Sequence, residues 1–351
     1  MNILLINASL LEPLYILFGW LTRIFYDFFG NYGLAIIALT VLVRGLLIPL
    51  NVKSQKSMIK MQALSGKTAE LQRKYGDDKQ KYQEEVMKLQ QENGAMGGLS
   101  GCILPFLQLF LIWPIYRIVS GPLIYISQVS KANIDNMIEL AKAADLMKGA
   151  RAITTEIHIG LIEILNNNAE FLRECISKGY ITMGQMVDLH FLGMDLTMTP
   201  SWNPLTIIKE PAVYLPLLIF PILVVVTSVL SMKLSTALRP GYKEQQEAKE
   251  RAKVNPARAG QQADDPTEAS MKMMNWMMPI IMLITTFTLP AAMGLYWVVG
   301  GIMGIITQVI VYYMFTKPYE LKKKELDEKK ANAFKKNNSE NSNNNKNKKK
   351  K

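Results

Sequence analysis

Residues 34–50 read LAIIALTVLVRGLLIPL, a near-continuous apolar run broken by a single charge, Arg44. A guanidinium about ten residues into a membrane-length helix costs roughly 2.5–3.5 kcal/mol on insertion scales. A chain retains such a residue cheaply when it faces water, a carboxylate or a polar cavity inside a helix bundle. No other apolar run offers an obvious carboxylate, so Arg44 is read as facing a wet cavity, and that cavity is the candidate functional feature.

The rest of the chain is consistent with a bilayer. Of 351 residues, 49% are hydrophobic, and the modest mean hydropathy of +0.10 averages long uncharged runs with strongly charged loops. The net charge of +11 is therefore concentrated in particular loops, whose placement sets topology. Cys102 and Cys175 lie far apart in sequence, which implies no disulfide framework and no metal site. The first ten residues, MNILLINASL, hold no Lys or Arg, so no cleavable signal peptide is expected.

In chain order, residues 1–31 read as an interfacial amphipathic helix. Leu11, Leu14, Tyr15, Phe18, Leu21, Phe25 and Phe28 are interleaved with Glu12, Arg23 and Asp27. An ordinary extra span remains the alternative for this segment. Residues 32–50 are the first span, ended by Pro49. Residues 51–98, with nine Lys/Arg and six Asp/Glu, read as a soluble helical hairpin with breaks at Ser65-Gly66 and Gly76-Asp77-Asp78 and a Glu84–Lys88 ion pair. Four glycines from Gly94 to Gly101 form a joint into the second span, residues 99–120. That span carries Gln108 facing the polar interior, Pro105 and Pro114 as kinks, and Arg117 snorkelling at its far end.

Residues 121–210 form a second excursion, helix-prone and net acidic with seven Lys/Arg and ten Asp/Glu, most simply a helical cap. The third span is 211–232, followed by a polar loop, 233–272, with eight Lys/Arg. Residues 273–316 are uncharged for 44 positions, about 66 Å as one helix and twice the hydrocarbon thickness. They must fold back as two spans, 273–289 and 291–316, turning between Pro290 and Gly294. The tail, 317–351, with thirteen Lys/Arg and five Asp/Glu, is disordered by composition.

With five spans, the loops after spans one and three and the tail share one side, and these are the basic ones. The positive-inside bias places them in the cytoplasm and the N-terminus outside. A sixth span at the N-terminus would reverse only the N-terminus. The expected fold is thus an all-α membrane protein of five transmembrane helices, with a cytoplasmic helical hairpin and an N-terminal interfacial helix.

Five stretches, in order, resemble the YidC/Oxa1/Alb3 family of membrane protein insertases. NYGLAIIALTVLVRGLLIPL is similar to its first core span, with Arg44 and, one turn earlier, Thr40. KSQKSMIKMQAL…ELQRKYGDDKQKYQEEVMKLQQENG is similar to its cytoplasmic hairpin. GCILPFLQLFLIWPIY resembles the second span, FLGMDL the approach to the third, and LPAAMGLYWVVGGIMGIITQ the last, with Tyr296, Trp297 and Gln308. Pro105 is displaced by one position, Pro114 is unusual, and residues 131–188 look like an insertion beyond the short family loop. The large extracytoplasmic domain of Gram-negative members is missing, so the chain resembles the short Gram-positive type in a bacterial cell membrane.

The resemblance implies a groove open to the cytoplasm and to lipid, closed outside, and lined by Arg44, Thr40, Gln108, Ile112, Tyr296 and Trp297. Its partners are nascent membrane proteins and the bilayer, with no nucleotide, cofactor, metal or small-molecule substrate. The tail, including Lys322, Lys323, Lys324, Lys348, Lys349 and Lys350, is a candidate contact for ribosomal RNA or anionic lipid, with a solvated charge run as the alternative. A Sec translocon is a further candidate partner. Tyr296 and Trp297 also fit interface anchoring beside Pro290. The methionines between Met271 and Met278 fit either core packing or a soft surface for varied apolar segments.

Two rival classes remain. Gly98-Leu99-Ser100-Gly101 spells the GxSG of intramembrane serine proteases, but the only histidines, His158 and His190, lie in the second excursion. A small-anion transporter or channel would also use a buried arginine, although no inverted repeat supports it.

Overall fold

The computed structural model describes residues 2–54, 64–75, 78–92, 110–148, 151, 153–154, 157–238, 242, 246–247, 250, 254, 276–277, 279–322, 324–326, 328–329 and 332. The chain divides into two units. One comprises Met1–Pro49, Cys102–Ser231 and Met271–Gly304, and the other comprises Leu50–Gly101, Met232–Ser270 and Ile305–Lys351. It is predominantly helical, and among the described residues two helices, Pro211–Ala237 and Ala291–Leu326, are long and apolar enough to cross a membrane. A third span counts if the bent pair Tyr32–Leu46 and Ile48–Ser54 is one crossing.

In the first unit, α1 (Asn2–Phe29) is continuous through Pro13. Gly30, at φ +63°, reverses the chain, and Asn31 caps α2 (Tyr32–Leu46) by accepting from the Leu34 N–H at 3.1 Å. The helix breaks at Leu47 and resumes as α3 (Ile48–Ser54) at an angle of 48°. Pro49 explains the break: without an N–H it cannot bond the Gly45 carbonyl one turn back. The 32–50 run thus bends inside the apolar stretch.

In the second unit, α4 (Ser65–Tyr75) and α5 (Lys79–Glu92) lie against each other, with Asp78 capping α5 through the Lys81 N–H at 3.1 Å. Lys88 pairs with Glu85 at 2.9 Å rather than with the expected Glu84. Side chains three and four positions back are both within reach on a helix, and an exposed pair of this kind contributes little either way. The glycine joint at 94–101, the GxSG sequence, Cys102, Pro105 and Gln108 lie outside the described residues.

Returning to the first unit, α6 (Phe110–Ser120) is a shorter apolar helix within the stretch expected as the second span, and it leads into α7 (Pro122–Tyr125). The expected insertion is helical: α8 (Lys131–Ala143), α9 (Ile159–Asn167) and α10 (Ala169–Ser177). It does not stand apart from the membrane helices. Ile134, Met137, Leu161, Leu165, Phe171 and Cys175 join one buried cluster with Tyr32, Ile36 and Leu39 of α2 and with Ile115 and Ile118 of α6. Burial pushes the Cys175 thiol up to about 11. Arg151 fastens this layer by donating to Glu163 at 2.9 Å, Thr197 at 2.6 Å and Asp195 at 3.0 Å.

A departure from an all-α fold is a two-residue hairpin, β1 (His190–Phe191) with β2 (Met194–Asp195). Leu192 and Gly193 at its tip both take positive φ, 51° and 78°, the pairing a tight hairpin with right-handed strand twist requires. The hairpin sits at the starts of the membrane helices. Phe191 covers Gly33 at the start of α2, and β2 packs on α12 (Pro211–Leu217). α12 continues as α13 (Ile219–Ala237), five residues beyond the expected end at 232.

Residues 279–286 form α14, the chain turns through Phe287–Leu289, and α15 (Ala291–Val311) begins after Pro290. The Ala291 and Ala292 N–H groups donate to Met198 and Leu196 carbonyls at 2.8 and 2.9 Å, satisfying donors that a helix start leaves orphaned. α2, α12 and α15 therefore all start at the 187–198 segment and run away from it. Helix continues past Val311 through Tyr312–Thr316 to Leu326, beyond the position where sequence composition starts the tail.

A Cβ on Gly33 would overlap the Phe191 ring. Gly33→Ala is expected to destabilise the protein by about 1–3 kcal/mol, as overpacked sites do. Phe191→Ala in the same chain should recover part of that loss, read as thermal unfolding in detergent.

Candidate functional site

Arg44 lies in the last turn of α2, twelve residues after Tyr32 and so about 18 Å along the helix axis. Gly300 lies nine residues after Ala291, about 14 Å along α15. The two meet there: a Cβ on Gly300 would stand 2.7 Å from Arg44 Nη2 and 3.1 Å from its Cζ. Counts from two separate helices thus put the guanidinium about half of a ~30 Å hydrocarbon thickness from both helix starts.

One turn before Gly300, Tyr296 presents its phenol to the same cation. Arg44 Nη2 donates to the Tyr296 hydroxyl at 3.5 Å, and Cζ lies 5.5 Å from the ring centroid. Tyr296 is fully buried and Arg44 is half-buried. A ring contact contributes about 0.5–2 kcal/mol, and a cation in the last helical turn gains about 0.3–1 kcal/mol from the helix dipole. These contributions are of the same order as the ~2.5–3.5 kcal/mol cost of an arginine at the centre of a bilayer. The break at Leu47–Pro49, directly beyond Arg44, adds polar backbone to the same place. Backbone of that kind is tolerated at membrane depth where it faces protein or water.

The other expected lining residues divide. Thr40 is buried one turn before Arg44, and its hydroxyl donates to the Ile36 carbonyl at 2.7 Å, turned to its own helix. Trp297 is 4% exposed, packed in the core. It does not anchor at a lipid interface, and its indole N–H has no partner among the described residues. Ile112 is half-buried on α6, and Gln108 lies outside the described residues. Arg117 lies over the Tyr15 ring, its Cζ 5.9 Å from the centroid, and is half-buried. In the second unit, Lys322 and Lys324 are exposed, while Lys323, Lys348, Lys349 and Lys350 lie outside the described residues. In the first unit, the methionines of 271–278 also lie outside them, apart from an exposed Met277.

Sequence reasoning missed the glycine face. Gly300 receives Arg44, and Gly301 receives Thr227 of α13, whose Oγ1 would stand 3.0 Å from an added Cβ. The only signal was the adjacent pair in VVGGIMG, where two missing side chains on an apolar helix mark close approach by neighbours.

These features define a class: an α-helical membrane protein with an arginine, inside an apolar helix, held against a phenol and a glycine surface. The sequence model of the 60Kd inner membrane protein family matches residues 24–318, and the chain belongs to that family. It is similar to membrane protein insertase YidC 2 of Bacillus anthracis, 26% identical over 292 residues, covering 82% of this chain and 74% of the relative. It is 40% identical over 108 residues to membrane protein insertase YidC of Wolinella succinogenes, covering 31% of this chain and 19% of the relative. To the protein of that name from Caldanaerobacter subterraneus it is 38% identical over 101 residues, covering 29% and 48%. The chain thus spans under half the length of the last two relatives and about three quarters of the first.

A double-mutant cycle tests the site. Arg44→Ala and Tyr296→Ala are expected to be non-additive, with a coupling energy of about 0.5–2 kcal/mol in detergent unfolding. Additivity within error would mean that the phenol does not hold the cation.

Proposed function

We propose that this protein is a membrane protein insertase that passes apolar segments of nascent membrane proteins into the bilayer through a hydrated groove carrying Arg44. The observation that carries the proposal is a half-buried guanidinium within an apolar helix, held by Tyr296 and Gly300 beside a helix break. The names of the relatives agree with it.

The mechanism uses only electrostatics and burial. In a low-dielectric surround, a guanidinium attracts a carboxylate on an incoming chain more strongly than it would in bulk water. The acidic end of a substrate rests halfway across while its apolar part slides into lipid, which shortens the fully dehydrated path. Burial of about 20 apolar residues in hydrocarbon supplies the free energy, so no nucleotide is consumed. Thr40, Gln108, Ile112 and Trp297 surround the path, with Arg44 and Tyr296 as its polar centre.

The topology in this reading has five spans, with the N-terminus outside and the C-terminus in the cytoplasm. The starts of α2, α12 and α15 at one segment support it, because spans entering from one side start together, and the basic composition of 51–98, 233–272 and 317–351 supplies the positive-inside assignment. Residues 121–210 then close the outer end, and α4 with α5 forms the cytoplasmic hairpin. α1 lies in the outer interface. Tyr15 meets Tyr125 and Arg117, while Arg23 and Tyr26 bond Gly184 and Asp188, so ~16 Å of helix stays beside outer segments. The cytoplasmic tail, through Lys322–Lys324 and Lys348–Lys350, is a contact for the ribosome, and a Sec translocon is a second partner.

Proteoliposomes holding the pure protein are expected to raise the protease-protected fraction of an acidic-ended single-span substrate. Arg44→Ala should lower that yield about tenfold, equivalent to about 1.4 kcal/mol, with Arg44→Lys in between. Full insertion by the Arg44→Ala variant, together with loss of small-anion uptake, would favour a transporter instead.

A further inference from the structure

The search turned up one surface that neither the site nor the core explains. α11 (Pro204–Lys209) begins with Pro204 at its first turn and Asn203 accepting from the Leu205 N–H at 3.0 Å, so its start is well built locally. Thr206 and Ile207 are half-buried, and α11 packs against α12. The other side carries Leu205 and Ile208 at a spacing of three, with Trp202 just ahead of the helix start, and these are 69%, 73% and 77% exposed. Three large exposed apolar side chains within seven residues are not the scattered exposure normal for a surface.

The chain itself says what covers them. Ile208 precedes Pro211 by three residues, and Pro211 opens Pro211–Ala237, a helix long and apolar enough to cross a membrane. Three residues reach about 10 Å at full extension, comparable to the headgroup layer flanking the hydrocarbon. The row is flanked by Ser201, Asn203, Lys209 and Glu210, the mixture of one tryptophan, aliphatics and polar neighbours that suits that layer. Tyr32 and Pro211, the starts of two membrane helices, both lie beside the hairpin, whose tip Leu192 is 79% exposed.

The geometry points to α11 as an interfacial foot: Trp202, Leu205 and Ile208 sit in the headgroup–acyl boundary of the bilayer and fix the depth at which the 121–210 segment rests. The occupant is the phospholipid surface itself, not a second copy or a protein partner. The foot depends only on the protein being in a membrane, so it stands or falls separately from the insertase reading.

Nitroxide labels test it in the full-length protein, reconstituted in phosphatidylcholine–phosphatidylglycerol vesicles. Leu205→Cys and Ile208→Cys are labelled alongside Lys142→Cys on exposed α8, with the unsubstituted protein as the background for Cys102 and Cys175. All three positions are exposed, so folding is not at issue. The expected result is an oxygen-to-nickel-chelate collision ratio at 205 and 208 severalfold above that at 142. A ratio equal to that at 142 would place the face in water and overturn the proposal. Low collision with both reagents would overturn it too, marking a second copy if the labels broaden each other and another protein surface if they do not.

Discussion

A charge at the middle of a bilayer must keep its water or find a substitute, and the arrangement around Arg44 follows from that demand. Tyr296 and the end of α2 each offset a share of that cost. The side chain is accordingly half-buried, against a phenol on one side and a glycine face that lets α15 come close. Any side chain at Gly300 would occupy the space the cation needs.

The same demand explains the break after Arg44. Pro49 removes a backbone donor, and polar backbone next to a guanidinium belongs where water already is. Away from that point the unit is conventional, with apolar residues of α2, α6 and the 121–210 helices sharing one core and Arg151 tying the loops that carry the helix starts.

Much of this was legible beforehand. Arg44 stood out because a lone charge in an apolar run is costly wherever it sits, and the apolar periodicity marked the helices that carry it. What was not legible has physical reasons. Gly300 and Gly301 act through missing atoms, so no side-chain chemistry announces them. Trp297 reads equally well as an anchor or as core, and only packing decides it. The short hairpin rests on Leu192 and Gly193 taking left-handed backbone, which a leucine gives little hint of. Pro49 marked an ending in the sequence, whereas the helix bends there and continues. The pairing of Lys88 turned on a choice between two adjacent glutamates that helical spacing alone leaves open.

The account depends most on water reaching position 44 from one side. Arg44→Cys, in a background with Cys102 and Cys175 replaced by serine, can be treated in oriented vesicles with a membrane-impermeant thiol reagent. The account predicts modification from the cytoplasmic face and protection from the outer face. An inert thiol from both faces, or one reached only from outside, would contradict it.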